Sequence, residues 1–167
     1  MKRKYILILI ALFISLFIYL FYRTDRTLVN QLFIHLISPV TYSKLKASIA
    51  GALQLSDVIV YSLPEGLWVF CITLTSRYYY VRLMGRQVDC LYIPLFFSVG
   101  LELLQLFHIT NGRFDFMDIF VSLIFWMLGA YRIKSHYQKQ NILTQLNFKS
   151  AVCLLSYGIV YLAHVFK

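Results

Sequence analysis

Acidic residues are scarce, seven Asp and Glu among 167 positions, and charged residues of both signs make up only 14% of the chain. A soluble domain carries ~25% charge and ~45–50% apolar residues. A soluble globular protein is therefore excluded, and so is a disordered chain, which requires low hydrophobicity. Cysteine is limited to Cys71, Cys90 and Cys153, all in or beside apolar runs, with no CxxC and no Cys/His pairing. A disulfide scaffold falls away, and the three thiols read as small packed hydrophobes. Seven glycines and three prolines leave no collagen-like tract. HExxH, a P-loop, a nucleophile-plus-base arrangement and internal repeats are all missing from the sequence.

What the chain has in quantity is apolar surface: 60% hydrophobic, 17% aromatic, mean hydropathy +0.70. That composition indicates an integral membrane protein, with rings in lipid and at its interfaces. The net charge of +9 is carried by basic residues beside apolar segments. Topology and anionic headgroups explain it; no basic stripe interleaved with stacking aromatics appears, so nucleic acid is not an expected partner.

The fold expected is all-α, with about five transmembrane helices near 5–22, 63–80, 90–108, 115–132 and 150–166, in one membrane domain of residues 1–167. The first run follows Lys2-Arg3-Lys4 and lacks a small-residue cleavage site, so it reads as a retained span. Residues 23–61 read as an outer interfacial segment. Leu28, Val29, Leu32, Phe33, Leu36 and Ile37 form an amphipathic stripe ended by Pro39, and a weaker turn follows at Leu45, Ile49 and Leu53. Ser62-Leu63-Pro64-Glu65 reads as a capping box opening the second span, and Arg77-Tyr78-Tyr79-Tyr80 as the aromatic belt closing it, followed by a short basic loop. With the N-terminus inside, ten Lys and Arg fall in inner segments and six in outer ones. The positive-inside rule then gives N-in, C-out.

Under that topology Asp57, Glu65, Glu102, Asp115 and Asp118 gather in the outer half, with Asp25 just beyond the first span and Asp89 on the inner side. Glu65 has an alternative as the capping-box acid, and Asp115 and Asp118 as N-cap and first-turn residues of the fourth span. Glu102 has no such alternative, lying roughly 9 Å inside the outer end of its helix. An intramembrane carboxylate is a functional candidate by default. Gln105 shares its face at i+3, and Asp115 and Asp118 are spaced likewise on the next helix. The short link at 110–113 makes these helices antiparallel neighbours, with Arg113 expected at the rim as counterion.

Glu102-x-x-Gln105 followed by Arg113-x-Asp115-x-x-Asp118 resembles the E-x-x-Q…R-x-x-D pattern of VanZ-like membrane proteins. The Ser62-Leu-Pro-Glu-Gly-Leu-Trp68 segment is similar to a variant branch of that family. The resemblance covers Ser62 to Gly129; where the family has Asn four residues after the last Asp, this chain has Ser122, and Phe125 stands near an expected glycine. The family is mostly bacterial and named for a protein associated with teicoplanin resistance. What it implies is a cytoplasmic-membrane protein of the cell envelope.

The leading functional expectation is an outward polar site of Glu65, Glu102, Gln105, Arg113, Asp115 and Asp118 that binds a lipid-linked or wall-related headgroup. Arg113 offers a bidentate contact to phosphate or carboxylate, and the acids a place for cationic groups or a divalent cation. Other readings are a structural or accessory subunit with a membrane-protein partner, a carboxylate- or metal-dependent membrane enzyme, and a transporter titrating Glu102.

Overall fold

The computed structural model describes residues 2–23, 28–109, 113–132, 139–144 and 147–165. The order is α1 (Lys2–Tyr22), α2 (Leu28–Ile37), α3 (Pro39–Ala52), α4 (Asp57–Ser76), β1 (Tyr79–Leu83), β2 (Arg86–Asp89), α5 (Ile93–Leu106), α6 (Phe116–Met127), β3 (Gln140–Asn141) and α7 (Phe148–Val165). A π-helical turn, Leu128–Arg132, continues α6. The chain is thus mostly helical, and α1 and α4 are long and apolar enough to cross a membrane. Helix α1 is apolar on every side and leaves Leu9 and Phe13 about two-thirds exposed. Such a surface calls for a non-aqueous neighbour.

Helix α4 is the hub, packing against α1, α5, α6 and α7. Val69, Ile72, Thr73 and Leu74 are almost wholly buried along it. At Gly66 the approach of α6 is so close that a Cβ atom would lie 2.5 Å from Phe125 Cδ2 and 2.7 Å from Val121 Cγ1. Ala11 on α1 and Leu67 and Cys71 on α4 form one core cluster, bordered by Phe70 and Phe125. At the other end, Ser76 and Tyr157 on α7 share a 2.8 Å hydrogen bond.

Several expected boundaries are corrected. The second span begins at Asp57 rather than 63, with Ser56 as its N-cap residue. Ser62, Pro64 and Glu65 therefore sit inside the helix, and the capping-box reading fails. Pro64 merely withholds one N–H from the Val60 carbonyl. The helix ends at Ser76 because residues 79–89 form a β-hairpin where an aromatic belt and basic loop were expected. Met84 and Gly85, both at positive φ, make its two-residue turn. Strand β3 adds to β1 in parallel, pairing Tyr79 with Gln140 and Tyr80 with Asn141. Asp89 forms an ion pair with Lys139.

Helix α5 has 14 residues rather than the expected span of 90–108, about 21 Å of helix. Its end is fixed by chain geometry: the Ile109 N–H donates to Leu104 O and the His108 N–H to Gln105 O, with His108 at φ +58°. This is a Schellman turn with histidine where glycine fits best. His108→Gly is expected to stabilise the fold by about 1 kcal/mol, read as a higher midpoint in thermal unfolding; an unchanged or lower midpoint would contradict the strain. The interfacial segment resolves into α2 and α3, joined at Ser38 (φ +83°). Helix α3 clasps the end of α1: Tyr42 OH donates to Leu20 O at 2.6 Å, Lys46 Nζ to Arg23 O at 2.7 Å, and Tyr22 OH reaches Leu53 O at 2.7 Å.

Candidate functional site

Helices α4, α5 and α6 bring Glu65, Glu102 and Asp118 together, with one oxygen from each carboxylate lying within 4.8 Å of the others. Glu102 is only 2% exposed, and Ser98, one turn earlier on α5, is fully buried. The Ser98 hydroxyl donates to Glu65 Oε1 at 3.2 Å. The Asp115 N–H, at the start of α6, donates to Glu102 Oε2 at 3.0 Å. Glu102 thus lies at the positive end of the α6 dipole and satisfies one of its orphan donors. Asp118 completes the cluster from α6, and its buried Oδ1 has no hydrogen-bond partner among the described residues. Three negative charges this close require compensation by protons or a cation.

Among the described residues, the cation facing this cluster is Arg23, not Arg113. Arg23 follows α1 directly, held there by the clasp of α3. It interacts electrostatically with both Glu65 and Asp118, and its Nη2 donates to Tyr61 O at 2.9 Å. Its guanidinium stacks over Tyr19 and Tyr61, 5.2 and 4.9 Å from their ring centroids. Its Nε is buried and has no hydrogen-bond partner among the described residues. Arg113 is exposed, immediately ahead of the α6 cap, so the expected rim counterion is corrected.

The other expected members separate. Asp115 is the N-cap of α6, its Oδ1 accepting from the Met117 N–H at 2.8 Å. Its carboxylate is thereby occupied, and only its backbone reaches Glu102. Gln105 is half-buried one turn beyond Glu102, without a side-chain hydrogen bond among the described residues. Part of the link, residues 110–112, lies outside the described residues. Arg23, Ser62, Ser98 and Tyr19 were missed as site residues. The spacing of Ser98 and Glu102, four apart on one helix, was the available signal for Ser98.

Chemically, the cluster offers hard oxygen ligands with a guanidinium beside them, a set suited to a cation on one side and a phosphate on the other. Comparison with protein-family models, with curated proteins and with solved structures returns no match to this chain.

Proposed function

We propose that the chain is a VanZ-like protein crossing the bacterial cytoplasmic membrane five times, N-terminus inside and C-terminus outside. In this reading its outward cluster binds the headgroup of a lipid-linked or wall-related molecule together with a divalent cation. The observation that carries the reading is the convergence of Glu65, Glu102 and Asp118 within 4.8 Å. Two oxygens bound to one calcium-sized ion at 2.3–2.6 Å lie at most about 5 Å apart, so these carboxylates are spaced to share one. The unpartnered Asp118 Oδ1 and Arg23 Nε supply an unpaired ligand oxygen and an unpaired donor inside the cluster. The acids take the ion, and Arg23 takes the phosphate oxygens that the ion also attracts. Exposed apolar residues on the shorter helices, among them Phe96, Phe116 and Leu155, favour lipid contact, with a locally thinned bilayer accommodating α5 and α6.

Protein purified without chelator is expected to carry one divalent ion and one phosphate-bearing lipid per chain, measured by elemental analysis and mass spectrometry. Arg23→Gln should lose the lipid and keep most of the ion, while Glu102→Gln loses both. Wild-type protein holding neither in stoichiometric amount would refute the reading. A Glu102→Gln chain that keeps both but falls in abundance would point instead to a structural accessory role.

A further inference from the structure

A pocket lies at the opposite end of the bundle from the carboxylate cluster. Thr75, on its wall, is ten residues from Glu65 along α4, about 15 Å. The cavity is about 160 Å³, lined by residues of α1, α4, α7 and the small sheet. Its lining includes the polar groups of Lys4, Lys149, Tyr78 and Gln140, and Ile8 and Val152 form an apolar flank. The Lys4 ammonium stands over the Tyr78 ring, 4.1 Å from its centroid, and 4.8 Å from that of Tyr5. Lys149 lies in the first turn of α7, where no acidic residue complements the helix dipole. A lysine there is unfavourable for the isolated helix. Asn147 and Ser150 already cap that helix through reciprocal hydrogen bonds of 2.9 Å, so Lys149 has no capping role. Two cations, an amide and a phenol thus converge on a hollow that continues onto an apolar wall, at the end where α1 enters and α4 leaves the apolar layer.

The geometry points to a binding site for one anionic phospholipid, its phosphate between Lys4 and Lys149 and an acyl chain along Ile8 and Val152. A free phosphate satisfies the lysines but leaves the apolar flank bare, so the occupant is the lipid. The site depends on α1 and α4 spanning the bilayer and not on what the carboxylate cluster binds.

The test uses the full chain in nanodiscs of dioleoylphosphatidylcholine, titrated with dioleoylphosphatidylglycerol and followed by native mass spectrometry. Wild type should retain one phosphatidylglycerol per chain in preference to phosphatidylcholine. Lys4→Gln with Lys149→Gln should weaken that retention about 25-fold, roughly fivefold per lysine. Val152→Trp, which fills the hollow without changing charge, should weaken it too and serves if the double variant does not insert. Arg82→Gln with Arg86→Gln removes the same charge from the exposed hairpin and should leave the preference intact. The proposal is overturned if the cavity variants retain the lipid as wild type does, if the hairpin variant loses it equally, or if inorganic phosphate displaces it at comparable concentration.

Discussion

Gly66→Val is expected to unfold at a markedly lower temperature than wild type and to lose cation binding at the carboxylate cluster. A Cβ at position 66 would already press on Phe125 and Val121 at 2.5 and 2.7 Å, well inside van der Waals contact. Overpacking of this kind costs ~1–3 kcal/mol, and valine adds two methyl groups to the same crowded gap. The helices respond by moving apart, and because Glu65 neighbours Gly66 on α4 while Asp118 is one turn before Val121 on α6, the separation also opens the site. Phe125→Ala combined with Gly66→Val should recover part of the loss, with a coupling of ~0.5–3 kcal/mol in the double-mutant cycle. Simple additivity would show that position 66 does not set the α4–α6 distance.

Replacement of Glu102 separates its two roles. Glu102→Gln keeps an oxygen to accept the Asp115 N–H and removes one of three crowded charges. The variant is expected to insert and fold with unfolding stability equal to or above that of cation-free wild type. Its affinity for a divalent ion should nevertheless fall by at least about 100-fold, since loss of outer-shell partners alone costs 10–100-fold. Glu102→Leu takes the carboxylate acceptor from the part-buried Asp115 N–H and should lose ~1 kcal/mol of stability. Equal stability of the two variants would show that the hydrogen bond to α6 contributes nothing. In wild type, protons and the ion compete for the same oxygens, so ion affinity should rise with pH and binding should release protons.

How far the sequence could be read follows from the kind of signal each feature leaves. The long apolar runs of α1 and α4 are local periodicities and located those helices; the depth of Glu102 in its helix and the i,i+3 spacing of Asp115 and Asp118 singled out those acids, while Glu65 was placed only through the assumed topology. The hairpin was hidden because Arg77-Tyr78-Tyr79-Tyr80 also satisfies the pattern of a membrane-boundary belt. Its Met84-Gly85 turn lacks the Asn-Gly or Asp-Gly signature that usually marks two-residue loops. Pro64 misled in the same way: proline in a first turn is common, so Ser62-x-x-Glu65 looked like a helix start although α4 begins at Asp57. Arg23 was illegible for a different reason. Its place opposite Glu65 depends on α3 folding back onto the end of α1, a tertiary contact 42 residues from Glu65 in sequence, whereas Arg113 is near in sequence and points to solvent. Asp115 met one of its two readings: its carboxylate caps α6, while only its backbone N–H touches Glu102.

The most direct test of the central claim is manganese binding to the detergent-purified full chain, followed by electron paramagnetic resonance as free Mn²⁺ signal is lost. The account predicts saturation at one ion per chain, displacement by Ca²⁺, and loss of binding in each of Glu65→Gln, Glu102→Gln and Asp118→Asn, with Asp115→Asn binding as wild type does. Absence of saturable binding in wild type, or full binding retained when all three carboxylates are replaced together, would contradict it.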